Sequence, residues 1–201
     1  MDALLQDVPR ETRDALTHYE QRLRNTNAVM NLVSPATLDQ MWDRHFVDSA
    51  QLKALKSEAR TWLDLGSGGG FPGIVLAILL KNESGHIDLV ESTGKKARFL
   101  EDVVRELRLP AKIWNERIEK LGRTIPTPQV VTARALARLP LLLQLAEPWL
   151  AAGAVGLFPK GRNFQAEVDE SHTQWRFSMV KHRSTTDGDS AILEITDLRR
   201  A

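Results

Sequence analysis

The chain has 201 residues, 42% of them hydrophobic and 26% charged, which fits one folded domain and argues against a disordered segment. The 27 Lys and Arg residues nearly balance the 26 Asp and Glu residues, which excludes a protein that binds nucleic acid by bulk charge alone. Cysteine is absent, and this excludes disulfides, thiolate metal sites and a cysteine nucleophile.

The first sixty residues are predicted to be helical. Leu16, Tyr19 and Leu23 recur at spacings of three and four, an apolar stripe that predicts an amphipathic helix beginning at Pro9. The pattern is broken by residues 25–35, and a second helical pattern covers residues 37–56. We therefore expect residues 1–58 to form a helical extension ahead of the main fold.

Strands and helices alternate through the rest of the chain. Strands are predicted over residues 62–65, 86–91, 111–114, 130–133 and 153–158, with helices over 72–80, 99–107 and 139–150 between them. Two further strands flank the turn Asp187-Gly188-Asp189. This alternation predicts an α/β fold with a mostly parallel sheet and an antiparallel C-terminal edge hairpin. We expect a single domain, 1–201, in which residues 59–201 form a Rossmann-like core.

A glycine cluster follows the first predicted strand, and it is the sharpest motif in the sequence. Glycines permit a tight turn and let a ligand lie against bare main chain at the carboxyl edge of the sheet. Two registers are possible. The segment from Gly68 to Gly73 fits the dinucleotide pattern G-x-G-x-x-G. The segment from Gly66 to Gly70, with Asp64 two positions ahead, fits the pattern of S-adenosylmethionine-dependent methyltransferases.

Glu91 ends the second predicted strand and supplies the carboxylate that binds ribose hydroxyls in either register. Phe71 lies inside the glycine cluster and has no local helix or strand partner, which favours a contact with the ligand.

Basic residues follow several of the strands. Because the carboxyl ends of parallel strands share one edge, we expect these residues to flank one cleft and to hold phosphates. They are Lys95, Lys96, Arg98, Arg134, Arg138, Lys160 and Arg162.

Several motifs occur together in one order along the chain. They are Arg44-His45 with Asp48-Ser49, residues 66–73, Glu91-Ser92 with Lys95-Lys96 and Phe99-Leu100, Arg134-Ala135, and Lys160-Gly161. In this combination the chain resembles the bacterial ribosomal RNA small-subunit methyltransferase G family, also called glucose-inhibited division protein B, from about residue 31 to residue 161. One departure is Gly69, where relatives often have Ala or Pro; we expect it to be tolerated.

The resemblance implies a class I methyltransferase fold, S-adenosylmethionine as cofactor, and methyl transfer to N7 of a guanine in small-subunit (16S) ribosomal RNA. It implies that Gly66 and Phe71 contact the cofactor, that Ile118-Glu119 hold its adenine end and that Arg134 closes the site. The residues predicted to bind the cofactor are Asp64, Gly66, Ser67, Gly68, Gly70, Phe71, Glu91, Ile118, Glu119 and Arg134. Those predicted to bind RNA are Arg44, His45, Lys95, Lys96, Arg138, Lys160 and Arg162.

The residue types in the chain also indicate which atom of a base would receive the methyl group. Methylation of pyrimidine C5 usually needs a cysteine nucleophile, which this chain lacks. Methylation of an exocyclic amine commonly uses an Asn/Asp-Pro-Pro-Tyr/Phe motif after the fourth strand, where this chain has Thr132-Ala133-Arg134-Ala135. Guanine N7 already presents a lone pair, so no catalytic acid or base is assigned.

Other functions remain open at this point. They are a methyltransferase for another RNA, a protein or a small molecule, a nicotinamide-dependent oxidoreductase, and a non-catalytic RNA- or nucleotide-binding module on the same fold. The longest uncharged run, residues 65–80, is too short and too rich in glycine to span a membrane, and no secretion signal is visible. We expect a cytoplasmic monomer, without a metal, whose partner is ribosomal RNA or the assembled small subunit.

Overall fold

The computed structural model describes residues 5, 8–122 and 124–201, and its first long element is the predicted amphipathic helix. Helix α1 (Arg10–Met30) begins after Pro9 and ends at Asn31, whose φ of 46° leaves the helical region. Leu16, Tyr19 and Leu23 are fully buried, as the stripe predicts. Residues 1–4 and 6–7 of the predicted extension lie outside the described residues.

The second helical segment is more irregular than the sequence predicts. It contains a short 3-10 turn (Pro35–Thr37), a π-helix (Trp42–Val47) and helix α2 (Asp48–Leu55). Three consecutive residues of the π-helix, His45, Phe46 and Val47, are buried. The burial continues into α2, where residues 49–53 are also buried, so this segment is enclosed on more than one side.

Within the described residues, seven strands form one sheet in the order β3-β2-β1-β4-β5-β7-β6. The strands are β1 (Thr61–Leu65), β2 (His86–Val90), β3 (Ala111–Trp114), β4 (Val130–Thr132), β5 (Val155–Lys160), β6 (Trp175–Arg183) and β7 (Ala191–Arg200). The first five are parallel, and β7 pairs antiparallel with both β5 and β6. The predicted mostly parallel sheet and its antiparallel edge hairpin are therefore confirmed.

Helices cover both faces of this sheet. They are α3 (Gly73–Leu80), α4 (Gly94–Leu107), α5 (Leu139–Leu150) and α6 (Phe164–Ser171). Neighbouring strand residues enter different apolar clusters: Trp62 and Val130 pack with α1, α3 and α4, while Leu63 and Val131 pack with α5 and α6. The N-terminal helices thus share a core with one face of the sheet, because strand side chains alternate between faces.

Helix α6 was not predicted from the sequence, because its eight residues are mostly polar and lack the continuous apolar run of α3. No helix among the described residues has the length and apolar content needed to cross a membrane.

Strand register brings the functional segments together. Leu65 of β1 is level with Val90 of β2, and Asp64 is level with Thr132 of β4. The loops that follow β1, β2 and β4 consequently leave the sheet side by side at its carboxyl edge.

Candidate functional site

The glycine loop turns back against the end of β2. The amides of Gly66 and Ser67 donate to the carbonyl oxygen of Val90 at 2.9 and 3.0 Å. Gly66, Gly68 and Gly70 have φ values of 70°, 57° and 102°, a region that residues with a Cβ rarely adopt. The loop therefore depends on glycine at these three positions.

A cavity of about 420 Å³ lies above this loop and between the ends of β1, β2 and β4. Its lining includes many residues predicted to bind the cofactor: Gly66, Ser67, Gly68, Phe71, Glu91, Ile118, Glu119 and Arg134. Residues that were not singled out from the sequence also line it, among them Leu32, Val33, Arg117 and Leu136. The first two come from the segment after α1, so the N-terminal extension forms part of the wall.

Asp64 and Gly70, which the sequence analysis also assigned to the cofactor, lie behind the loop and not in the cavity wall. The fully buried Asp64 accepts a hydrogen bond from the Gly73 amide at 3.1 Å, at the start of α3. Burial raises the pKa of this carboxyl to about 7, although the hydrogen bonds with Ser67 and Gly73 oppose the shift. A Cβ on Gly70 would collide with the Tyr19 hydroxyl and Ile74. Both residues therefore shape the loop from behind.

Glu91 lies at the junction of β2 and the glycine loop. Its Oε2 accepts from the Gly68 amide at 2.9 Å, and its Oε1 accepts from the Thr93 amide at 2.7 Å. The side-chain amide of Asn115 donates to the Glu91 carbonyl oxygen at 2.9 Å. The carboxylate is thus fixed at the cavity wall, and each oxygen keeps a lone pair for a further donor.

Phe71 has aromatic partners that its local sequence does not reveal. Its ring centroid lies 5.3 Å from those of Tyr19 and Phe46 and 4.9 Å from that of His45, with which it stacks. The partners of Phe71 are not local ones: the N-terminal helices supply them from at least 25 positions away in the chain. The ring is 4% exposed and still lines the cavity.

Arg134, in the loop after β4, joins that loop to the N-terminal extension. Its guanidinium donates to the Arg44 carbonyl oxygen at 2.9 Å and to His45 Nδ1 at 2.7 Å, and it lies 3.3 Å from Asp48 Oδ2. The guanidinium carbon is 5.2 Å from the centre of the Phe71 ring. Arg134 is consequently held on several sides at the cavity wall.

His45 is buried, and its ring is held in one orientation. Nδ1 accepts from Arg134, so Nε2 carries the proton and donates to the Thr37 hydroxyl at 2.9 Å. Burial, followed by the charges of Arg134 and Arg44, lowers the pKa of His45 to about 4. The imidazole is therefore neutral near pH 7, and it is a core residue rather than an exposed RNA contact.

The predicted basic cleft is only partly formed. Lys160 is 9% exposed and its ammonium lies 2.6 Å from Glu167, so it is committed to an internal ion pair. The exposed Arg138 pairs with Glu170, and Arg44 pairs with Asp187. Of the basic residues predicted at this edge, Lys96 and Arg134 line the cavity. Lys95, Arg98 and Arg162 line neither this cavity nor the one beside it.

A second cavity, of about 450 Å³, adjoins the first. The two share Arg134, Ala135 and Leu136, so the loop after β4 forms their common wall. Ala135 has a φ of 54°, which gives this wall a sharp local turn. Asp48 and Glu167 also line the second cavity. The sequence gives no signal for either role, because Arg134 and Thr186, which contact Asp48, and Leu139, which contacts Glu167, lie far away in the chain.

Comparison with known proteins matches nearly the whole chain to one family. The family model of GidB, rRNA small subunit methyltransferase G, matches residues 12–195. Proteins named ribosomal RNA small subunit methyltransferase G from Brucella canis and Brucella suis biovar 1 are each 55% identical over 194 residues, covering 96% of this chain and 91% of theirs.

Solved structures with a similar fold include two O-methyltransferases. TomG from Streptomyces achromogenes, crystallised with SAM, has a TM-score of 0.58 at 16% identity, covering 91% of this chain and 89% of its own. The Bacillus cereus enzyme, crystallised with SAH, has a TM-score of 0.60 at 14% identity, covering 96% and 93%. At these low sequence identities, the structural similarity establishes that the chain has the class I methyltransferase fold.

Proposed function

The chain belongs to the rRNA small subunit methyltransferase G family, and we propose that it transfers a methyl group from S-adenosylmethionine to N7 of a guanine in small-subunit ribosomal RNA. The transfer is direct and in line, without a general base. The observation that carries this proposal is the pair of adjoining cavities: one is suited to a nucleoside cofactor, and the wall between them offers no proton acceptor.

The first cavity fits S-adenosylmethionine. A Cβ on Gly68 would meet nothing closer than the Gly66 carbonyl oxygen at 3.8 Å, so bare main chain faces open space there. Glu91 offers carboxylate lone pairs for ribose hydroxyls, and the buried Ile118 offers an apolar surface for a base. The volume of about 420 Å³ lies within the range of small-ligand sites.

When bound, S-adenosylmethionine supplies an electrophilic methyl group on a sulfonium. The work left to the chain is to hold donor and acceptor in line, and such positioning can contribute roughly 7–11 kcal/mol to lowering the barrier. Glu91 and the glycine loop fix the nucleoside end, while Arg134 is anchored by Asp48 so that the common wall stays in place.

Three groups near the loop after β4 that could serve as a base, Thr132, His45 and Asp64, are not available. The Thr132 hydroxyl is buried and donates to the Leu157 carbonyl oxygen at 2.8 Å. The free nitrogen of His45 accepts from Arg134, and Asp64 lies behind the glycine loop. This supports N7 as the acceptor, since its in-plane lone pair can attack without loss of a proton.

The substrate is ribosomal RNA, either free or within the small subunit, and the protein acts in the cytoplasm as a monomer. Exposed basic residues outside the cavities, including Lys95 and Arg162, hold RNA phosphates.

The test is labelled-methyl transfer to small subunits from cells that lack this enzyme, followed by nucleoside chromatography. We expect the label in 7-methylguanosine, and label in another nucleoside would contradict the acceptor. Thermal shift with S-adenosylhomocysteine and with NADH separates this function from an oxidoreductase: only the former is expected to raise the melting temperature.

A further inference from the structure

The second cavity has a lining suited to recognition of the acceptor base. A base that is to be methylated inside a buried site must first leave its stack and enter a pocket. The second cavity, of about 450 Å³, meets the cofactor cavity at Arg134, Ala135 and Leu136, and its volume is that of a small-ligand site. A base lying in it would have one edge against the common wall.

Two carboxylates line this second cavity, and only one is free to bind a base. Asp48 Oδ1 accepts from the Gln51 amide at 2.9 Å and from the Thr186 hydroxyl at 3.1 Å. Its Oδ2 lies 3.3 Å from Arg134. Both oxygens of Asp48 therefore already have partners. These contacts connect the N-terminal extension, the loop between β6 and β7, and the common wall.

Glu167, on α6, is arranged differently. Its Oε2 accepts from the Leu139 amide at 2.8 Å and from the Lys160 ammonium at 2.6 Å. Among the described residues no hydrogen bond to Oε1 is found, and the side chain is 17% exposed. One oxygen thus fixes the carboxylate in the cavity wall, while the other is available to a ligand.

We propose that Glu167 selects guanine, by accepting hydrogen bonds at Oε1 from the N1–H and 2-amino groups of the target base. This rests on the proposed function, in which N7 is methylated. The 2-amino group lies across the six-membered ring from N7, so a guanine with N7 at the common wall turns its N–H donors toward the rest of the lining. Adenine presents a lone pair at N1 and no 2-amino group, and a carboxylate repels that edge.

The direct test compares Glu167→Gln with the parent protein in methyl transfer to small subunits that lack the modification. The amide keeps the size of the side chain but replaces one acceptor by a donor. Loss of hydrogen bonds to a charged acceptor predicts a fall in kcat of about 10- to 100-fold. The KM for small subunits is expected to change less than about threefold, because phosphate contacts supply most of the affinity.

Asp169→Asn is the matched control, because Asp169 is an exposed residue of the same helix. Among the described residues its side chain bonds Gln165 alone, and it does not line the cavity. Its activity should equal that of the parent. Glu167→Gln also removes the charge that pairs with Lys160, so its melting temperature is expected to fall. The affinity for S-adenosylhomocysteine should be the same in all three proteins, which separates base recognition from a folding defect. Glu167→Gln with parental kcat overturns the inference.

Inhibition of the parent by nucleotides tests recognition even if the variant is inactive. GMP should inhibit the parent more strongly than IMP, which lacks the 2-amino group. Equal inhibition of the parent by GMP and IMP overturns the inference. Failure of the proposed function is recognised separately, since the parent would then produce no 7-methylguanosine.

Discussion

The buried carboxyl of Asp64 makes the stability of this protein depend on pH in an unusual direction. Oδ2 accepts from Gly73, and Oδ1 has no hydrogen-bond partner among the described residues. Burial raises the pKa of Asp64 from 3.8 to about 7 in the folded protein. Asp64→Asn removes the titration and keeps nearly the same shape, with an amide oxygen still able to accept from Gly73.

The sign of the effect follows from proton counting. Between pH 3.8 and 7 the folded protein holds a proton on Asp64 that the unfolded chain has released. The stabilisation from Asp64 is therefore full below pH 3.8 and is lost as the pH rises through 7. Each pH unit in this window changes the free energy of unfolding by about 1.4 kcal/mol, so the parent should lose about 2–3 kcal/mol relative to the variant between pH 5 and 7.5.

Urea denaturation of the parent and Asp64→Asn at pH 5, 6, 7 and 8 measures this difference. Other titrating groups are common to both proteins and cancel in the comparison. The exposed substitution Asp169→Asn serves as the control and should give a curve parallel to the parent. If the Asp64→Asn curve is also parallel, the carboxyl is not titrating near pH 7 and the reasoning is refuted.

Four further predictions concern the site. Glu91→Ala should weaken S-adenosylhomocysteine binding by about 1–3 kcal/mol in calorimetry, because it removes charged hydrogen bonds; unchanged affinity would remove Glu91 from the ribose site. Single-turnover rates should stay flat from about pH 6.5 to 8.5 in the parent and in His45→Gln, since the pKa of His45 is about 4; a unit slope lost in the variant would identify a base. Tyr19→Phe should lower the free energy of unfolding by about 1–3 kcal/mol in urea titrations, because the Gly69 carbonyl oxygen loses the donor at 2.6 Å; an unchanged midpoint would contradict this. Arg162→Ala should reduce the salt dependence of RNA binding by about 0.7–0.9 in log–log slope, while Lys160→Ala, whose ammonium is already paired, should leave the slope unchanged; the reverse pattern would contradict these assignments.

The sequence by itself determined the order of strands and helices and the position of the glycine loop. Each of these features is a local pattern: apolar periodicity marks an element, and glycine marks a turn that other residues cannot make. The cavity-lining positions of Gly66 and Glu91 follow from the same logic, because the ends of parallel strands must share one edge. The position of Ile118 was expected from the family resemblance alone.

Only the tertiary structure decided what each charged or aromatic side chain touches. Phe71 packs on Tyr19, and Arg134 bonds His45, in each case across more than fifty positions of the chain. The sequence shows no partner for the cation of Lys160. Folding places it beside Glu167, which lies on a helix that the sequence did not indicate. Such pairings have no local signature, since they depend on which faces of distant elements meet when the apolar surfaces are buried.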